Sequence, residues 1–174
     1  MQHEYQAPWG RAVKVATLVS VLLFCAIAVY GSYFGPRQFM AWRFFTLGAP
    51  VAGLALGVLF LVRGYALAGQ ELEIERFGWV TRLSLVGLES VASDSQAFVG
   101  TSRVWGNGGL FALTGLYWNR RLGRFRAWAT DPARSVVLKF ADRTVVLTPD
   151  DPRRFVSDVS RLCRLATDAS PPAN

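Results

Sequence analysis

Two stretches without a charge dominate the chain: 22 residues between Lys14 and Arg37, and 19 between Arg43 and Arg63. Each is long enough to cross a hydrocarbon core of about 30 Å as a helix rising about 1.5 Å per residue. Spans are therefore expected at 15–34 and 44–62, after a cytoplasmic segment 1–14 and on either side of a short loop, 35–43. The chain is expected to cross a bilayer and return at once. Tyr30 and Tyr33 lie toward the far end of the first span, and Trp9 and Trp42 flank the apolar stretches, positions suited to interface anchors. Gly53 and Gly57 form a small-xxx-small pair that would let the two helices approach closely, although glycine is common in spans in any case. Arg11 and Lys14 before an apolar run with Ala26-Ile27-Ala28 imitate a cleavable secretory signal. The run continues past Ala28 without a break and a second span follows, so a retained hairpin is the expected state.

Charge orients the hairpin. Arg11, Lys14, Arg63 and Arg76 flank its two ends, against Arg37 and Arg43 in the loop. Four against two favours cytoplasmic termini, and so a multi-pass membrane protein with both ends in the cytoplasm. The net charge is +7, with seventeen Arg and two Lys. A coding bias explains that ratio, as does selection for planar phosphate contacts. Cys25 lies inside the first span and Cys163 near the C-terminus, so they have no route to a disulfide, and a lone domain cysteine fits a reducing compartment. The single histidine is His3. A domain with one Cys and no His does not assemble an ordinary transition-metal site, and no cofactor is implied.

Residues 63–168 read as one compact domain, before a tail, 169–174, expected to be disordered. Leu72, Ile74 and Arg76 alternate with Glu71, Glu73 and Glu75, the period of a half-buried strand. Gly78 is a turn, and Val80–Leu85 reads as the next strand. A less regular region runs from Val91 to about Val99, then a glycine-rich loop, Trp105-Gly106-Asn107-Gly108-Gly109. Leu116–Trp118 and Arg124–Thr130 read as strands, followed by a hairpin of Ser135–Phe140 and Thr144–Leu147. The last element is an amphipathic helix capped by Asp151, with Pro152 at its first position and Phe155, Val159, Leu162, Cys163 and Ala166 at helical spacing.

About seven strands closed by one helix outline a split barrel. Gly106-Asn107-Gly108-Gly109-Leu110-Phe111, Gly115 with Tyr117 and Trp118, Leu122-Gly123-Arg124-Phe125, Ala129-Thr130-Asp131, and Leu147-Thr148-Pro149-Asp150-Asp151-Pro152 with Phe155 resemble the bacterial pleckstrin-homology-like (PH-like) domains of small membrane proteins. The resemblance spans roughly residues 68–166. It implies a two-helix transmembrane hairpin followed by a mainly-β PH-like split barrel with a C-terminal α-helix. Such a fold does not by itself imply lipid binding.

From Ser95 to Thr130 there is no acidic residue, while Arg103, Arg120, Arg121, Arg124 and Arg126 fall inside. Three readings fit: a solvated basic face, a patch for anionic headgroups at about 1 kcal/mol per well-placed charge, or a site for an acidic partner protein. Trp105, Phe111, Tyr117, Trp118, Phe125 and Trp128 interleave with these arginines. Strand alternation accounts for that as barrel core, and with two spans upstream no nucleic-acid partner is expected. The loop at 106–109 lacks the Lys-Ser/Thr of a phosphate loop and reads as a connection needing positive φ. Asp150 and Asp151 serve the turn and cap, and no domain histidine is available to activate a serine, so no enzyme is expected. The expected role is binding or scaffolding at the membrane, through anionic lipid, a membrane-protein partner or copies of itself. The alternative is an accessory subunit whose hairpin makes the essential contacts.

Overall fold

A computed structural model of the protein describes residues 3–36 and 40–168, with side chains as far as Cys163. Arg37 and the tail 169–174 lie outside the described residues. The chain opens on a short strand, β1 (His3–Gln6), followed by helices α1 (Arg11–Phe34) and α2 (Met40–Leu59). Both helices are long and apolar enough to cross a membrane, extending for about 36 Å and about 30 Å. One π-helical turn, Phe44–Gly48, interrupts α2. The two helices approach closely next to it: a β-carbon on Gly31 would collide with Thr46, and the Trp42 indole donates to the Gly31 carbonyl at 2.9 Å.

Nine strands follow: β2 (Val62–Ala68), β3 (Glu71–Arg76), β4 (Val80–Ser84), β5 (Leu88–Ser93), β6 (Ser102–Gly108), β7 (Leu113–Asn119), β8 (Gly123–Ala129), β9 (Val136–Phe140) and β10 (Thr144–Leu147). Helix α3 (Pro152–Asp168) ends the described chain. One sheet is ordered β1-β2-β3-β4, the other β5-β9-β10-β8-β7-β6, antiparallel throughout except for β8 beside β10. Alternation explains the two layers of core. Leu72 and Ile74 of β3 meet Val136, Leu138, Val145 and Leu147 of the second sheet, with Phe155 and Val159 of α3 packed on them. Phe125, Ala127, Val137 and Val146 point the other way and join Tyr117 and Ala97 in a smaller cluster.

The cap forms as its residues predict, with the Arg154 amide donating to Asp151 Oδ1 at 3.0 Å. Replacing Asp151 by Ala should cost about 1 kcal/mol, read as a lower urea midpoint with an unchanged slope.

Tyr65 ties the two sheets together at one end. Its hydroxyl donates to the Trp128 carbonyl at 2.6 Å and accepts from the Thr148 amide at 3.2 Å, while Thr148 Oγ1 accepts from the Thr130 amide at 2.8 Å. Burial pushes the Tyr65 phenol up to about 12. A phenol raised in the folded state favours folding fully below the unfolded value of about 10, and that contribution disappears as pH rises from there toward 12. Alkaline unfolding followed at 295 nm should therefore begin above pH 10, and Tyr65→Phe should flatten this dependence.

The fold class holds, with more strands than the sequence pattern predicts: ten among the described residues rather than about seven. The largest difference is at the junction. Helix α2 spans Met40–Leu59 rather than 44–62, and Val62 is already a strand residue paired with Arg76. An apolar run does not distinguish the end of a span from the start of a buried strand, and Val62 is apolar because it enters the core. Likewise α1 begins at Arg11, and part of the segment 1–14 is the edge strand β1, paired with β2. No tether separates helix from barrel: Phe60 and Leu61 alone lie between α2 and β2.

Candidate binding surface at the helix end of the domain

The helices are hydrogen-bonded to one end of the domain. The Gly10 amide, at the start of α1, donates to the Thr130 carbonyl at 3.0 Å, and Thr130 Oγ1 donates to the Pro8 carbonyl at 2.8 Å. The Ala7 amide donates to the Arg63 carbonyl at 3.1 Å. The turn between β6 and β7 is clamped by Thr17 of α1, whose hydroxyl donates to the Gly109 carbonyl at 3.3 Å and accepts from the Phe111 amide at 3.0 Å. Phe111 sits at φ 64°, with its ring 5.9 Å from that of Trp9. Asn107 steadies the turn by accepting from the Leu110 amide and donating to its carbonyl. Gly106 and Gly109 adopt the positive φ expected of them, though residues 106–108 belong to β6 rather than to a loop.

The glycine pair of α2 divides between two partners. Gly53 faces the Phe24 ring of α1, as helix packing predicts. Gly57 faces the domain instead: a β-carbon there would come within 2.6 Å of Leu110. Its role is the approach of helix to barrel.

These contacts give the strands a direction. Val62, Arg76, Gly108, Leu113 and Ala129 mark the helix end of their strands, and the β7–β8 turn lies at the opposite end. The five arginines singled out by the acid-free stretch are thereby dispersed. Arg120 and Arg121 occupy that far turn, about 20 Å along β8 from Thr130. Arg121 pairs there with Asp94, and Arg120 and Arg121 line a recess of about 350 Å³ with Trp118, Gln96, Val99 and Gly100. Arg103 pairs across strands with Tyr117, on the opposite sheet face from Arg124 and Arg126. Arg124 and Arg126 share one face, as alternation requires, and are exposed on either side of buried Phe125.

A different basic cluster forms from residues distant in sequence. Arg126 stacks on Trp128, its guanidinium carbon 4.8 Å from the ring centroid. Arg76, from the other sheet, lies 5.7 Å from the same ring and 5.7 Å from Trp79. Arg76 continues the inward row of Leu72 and Ile74 to the mouth of the core and is half-buried. Its Nε is enclosed without a hydrogen-bond partner, and among the described residues neither arginine has an ion pair. Burial, and then the charge of Arg126, hold the Arg76 guanidinium below its ordinary value. Beside it the β3–β4 turn exposes Phe77, Trp79 and Val80.

The chain belongs to the bacterial PH domain family, whose model matches residues 63–163. No match was found among curated proteins or among solved structures.

Proposed function

We propose that this protein is a membrane-anchored binding and scaffolding module, working by recognition rather than by catalysis. In this reading α1 and α2 span the bacterial inner membrane, and both termini and the PH domain lie in the cytoplasm. The domain presents a constant surface to anionic headgroups or to a membrane-protein partner. The Thr17 clamp on the β6–β7 turn carries the proposal: it fixes the barrel against the helix ends, so the same face always meets the bilayer surface. The outward apolar side chains of α1, among them Leu18, Leu22 and Val29, suit a lipid environment. The four-to-two distribution of basic flanks supports the orientation.

Two measurements test this reading. A cysteine at exposed Val99 should react with a membrane-impermeant maleimide in inverted vesicles and stay unlabelled in spheroplasts; the reverse pattern would reject the orientation. A photo-crosslinking residue at Val99 should capture the same molecules when 18–56 is replaced by an unrelated two-span hairpin that keeps the junction residues. If capture disappears while the domain remains folded, the helices make the essential contacts and the accessory-subunit reading replaces this one.

A further inference from the structure

We infer that Arg76 and Arg126, meeting at the Trp128 indole from two different sheets, form a receptor for one phosphate group of an anionic phospholipid. The inference rests on the membrane-anchored reading above and names the site and ligand class that reading leaves open.

The two guanidinium groups are brought together where nothing neutralises them. Both lie close to one indole, at 4.8 Å and 5.7 Å, and no described carboxylate is within ion-pairing distance of either. Like charges gathered at the mouth of a core oppose folding unless an anion joins them. The Arg76 Nε is enclosed and has no hydrogen-bond partner in the protein, and the outer nitrogens of the same planar guanidinium, a fork that suits phosphate oxygens, carry no ion pair among the described residues. Chloride would neutralise charge but would leave that fork geometry unused.

Position selects the source of the phosphate. Arg76 is paired with Val62, three residues beyond the last residue of α2, so it lies at the helix end of its strand. Immediately after it, Phe77, Trp79 and Val80 are 52%, 42% and 50% exposed, an apolar and aromatic tip. Tryptophan and phenylalanine in such a tip partition into the interfacial zone of a bilayer. With the tip immersed, Arg76 and Arg126 stand at headgroup depth. Arg120 and Arg121, at the other end of β8, do not.

The test uses the full chain in detergent micelles, titrated calorimetrically with dioctanoyl phosphatidylglycerol, dioctanoyl phosphatidylcholine and inorganic phosphate. Phosphatidylglycerol should bind saturably at one site and more tightly than the other two. Arg76→Met and Arg126→Gln should each weaken it about tenfold, the loss of one charged hydrogen-bonding partner. The double change Arg120→Gln with Arg121→Gln should leave affinity within about twofold, as expected for charges more than a Debye length away. Arg76→Met should also raise the melting temperature, because it removes a half-buried charge that has no ion pair, whereas an arginine that merely supports the fold would lower it. Arg126 is exposed, so its variant remains informative if Arg76→Met fails to fold. Unchanged phosphatidylglycerol affinity in the arginine variants would overturn the site, and equal affinity for inorganic phosphate would overturn the lipid source. A flat titration of the unaltered chain, with Val99 still capturing a protein, would remove this site and leave the binding-module reading standing. Loss of both signals would remove both.

Discussion

Replacing Phe155 by Ala should cost the domain about 3–5 kcal/mol, a large part of the roughly 5–15 kcal/mol that holds a domain folded. Phe155 is fully buried, with its ring edge-on to Tyr5 at 5.0 Å and to Tyr65 at 6.5 Å. One side chain thus joins α3 to the N-terminal strand and to the first strand after the hairpin. Removing it opens a cavity against the Tyr65 hydroxyl network, which also ties the two sheets together. The loss should appear as a lower urea midpoint and a weakened near-ultraviolet signal from the tyrosines, with the helical signal of α1 and α2 retained. A change below about 1 kcal/mol would mean that α3 is peripheral to the core rather than its lid.

Helix α3 was also the most legible element in the sequence, because its cap, its first-turn proline and its 3.6-residue period all point to the same structure. Strand β1 carried no such redundancy. His3–Gln6 offers one buried apolar residue, Tyr5, and its partner β2 was hidden inside an apolar run that reads equally well as membrane span. What Tyr5 does depends on α3, over 150 residues away, where its hydroxyl donates to Asp158 at 2.5 Å. No local pattern encodes that contact.

The basic residues show the same limit more sharply. Arg120, Arg121, Arg124 and Arg126 are close in sequence, but a turn followed by an extended strand sends them to different places. Arg76 was readable as the third inward position of β3, after Leu72 and Ile74. Its meeting with Arg126 was not, because that depends on how two sheets close over Trp128. Chain proximity is informative within a helix or turn, where the backbone keeps neighbours together. Along strands it mainly reports which face a residue takes.

The attachment of domain to helices makes the second strong prediction. Gly57→Leu should release the β6–β7 turn from the helices without unfolding the barrel. A side chain at this position meets Leu110 and Phe111, and relieving that overlap means moving the turn away from Thr17. Overpacking of this kind costs about 1–3 kcal/mol. At about 1.4 kcal/mol per decade, exchange of the Phe111 amide, now protected by Thr17 Oγ1, should accelerate by about ten- to a hundredfold. Amides in β9 and β10 should keep their protection, since no core residue has changed. Thr17→Val should expose the same amide by removing the acceptor instead of crowding the glycine. If both variants leave Phe111 protected, the turn is held by the barrel alone and the helices do not orient the domain. If both expose it while β9 and β10 stay closed, orientation is set at the junction, and a flexible anchor fails as a description of this hairpin.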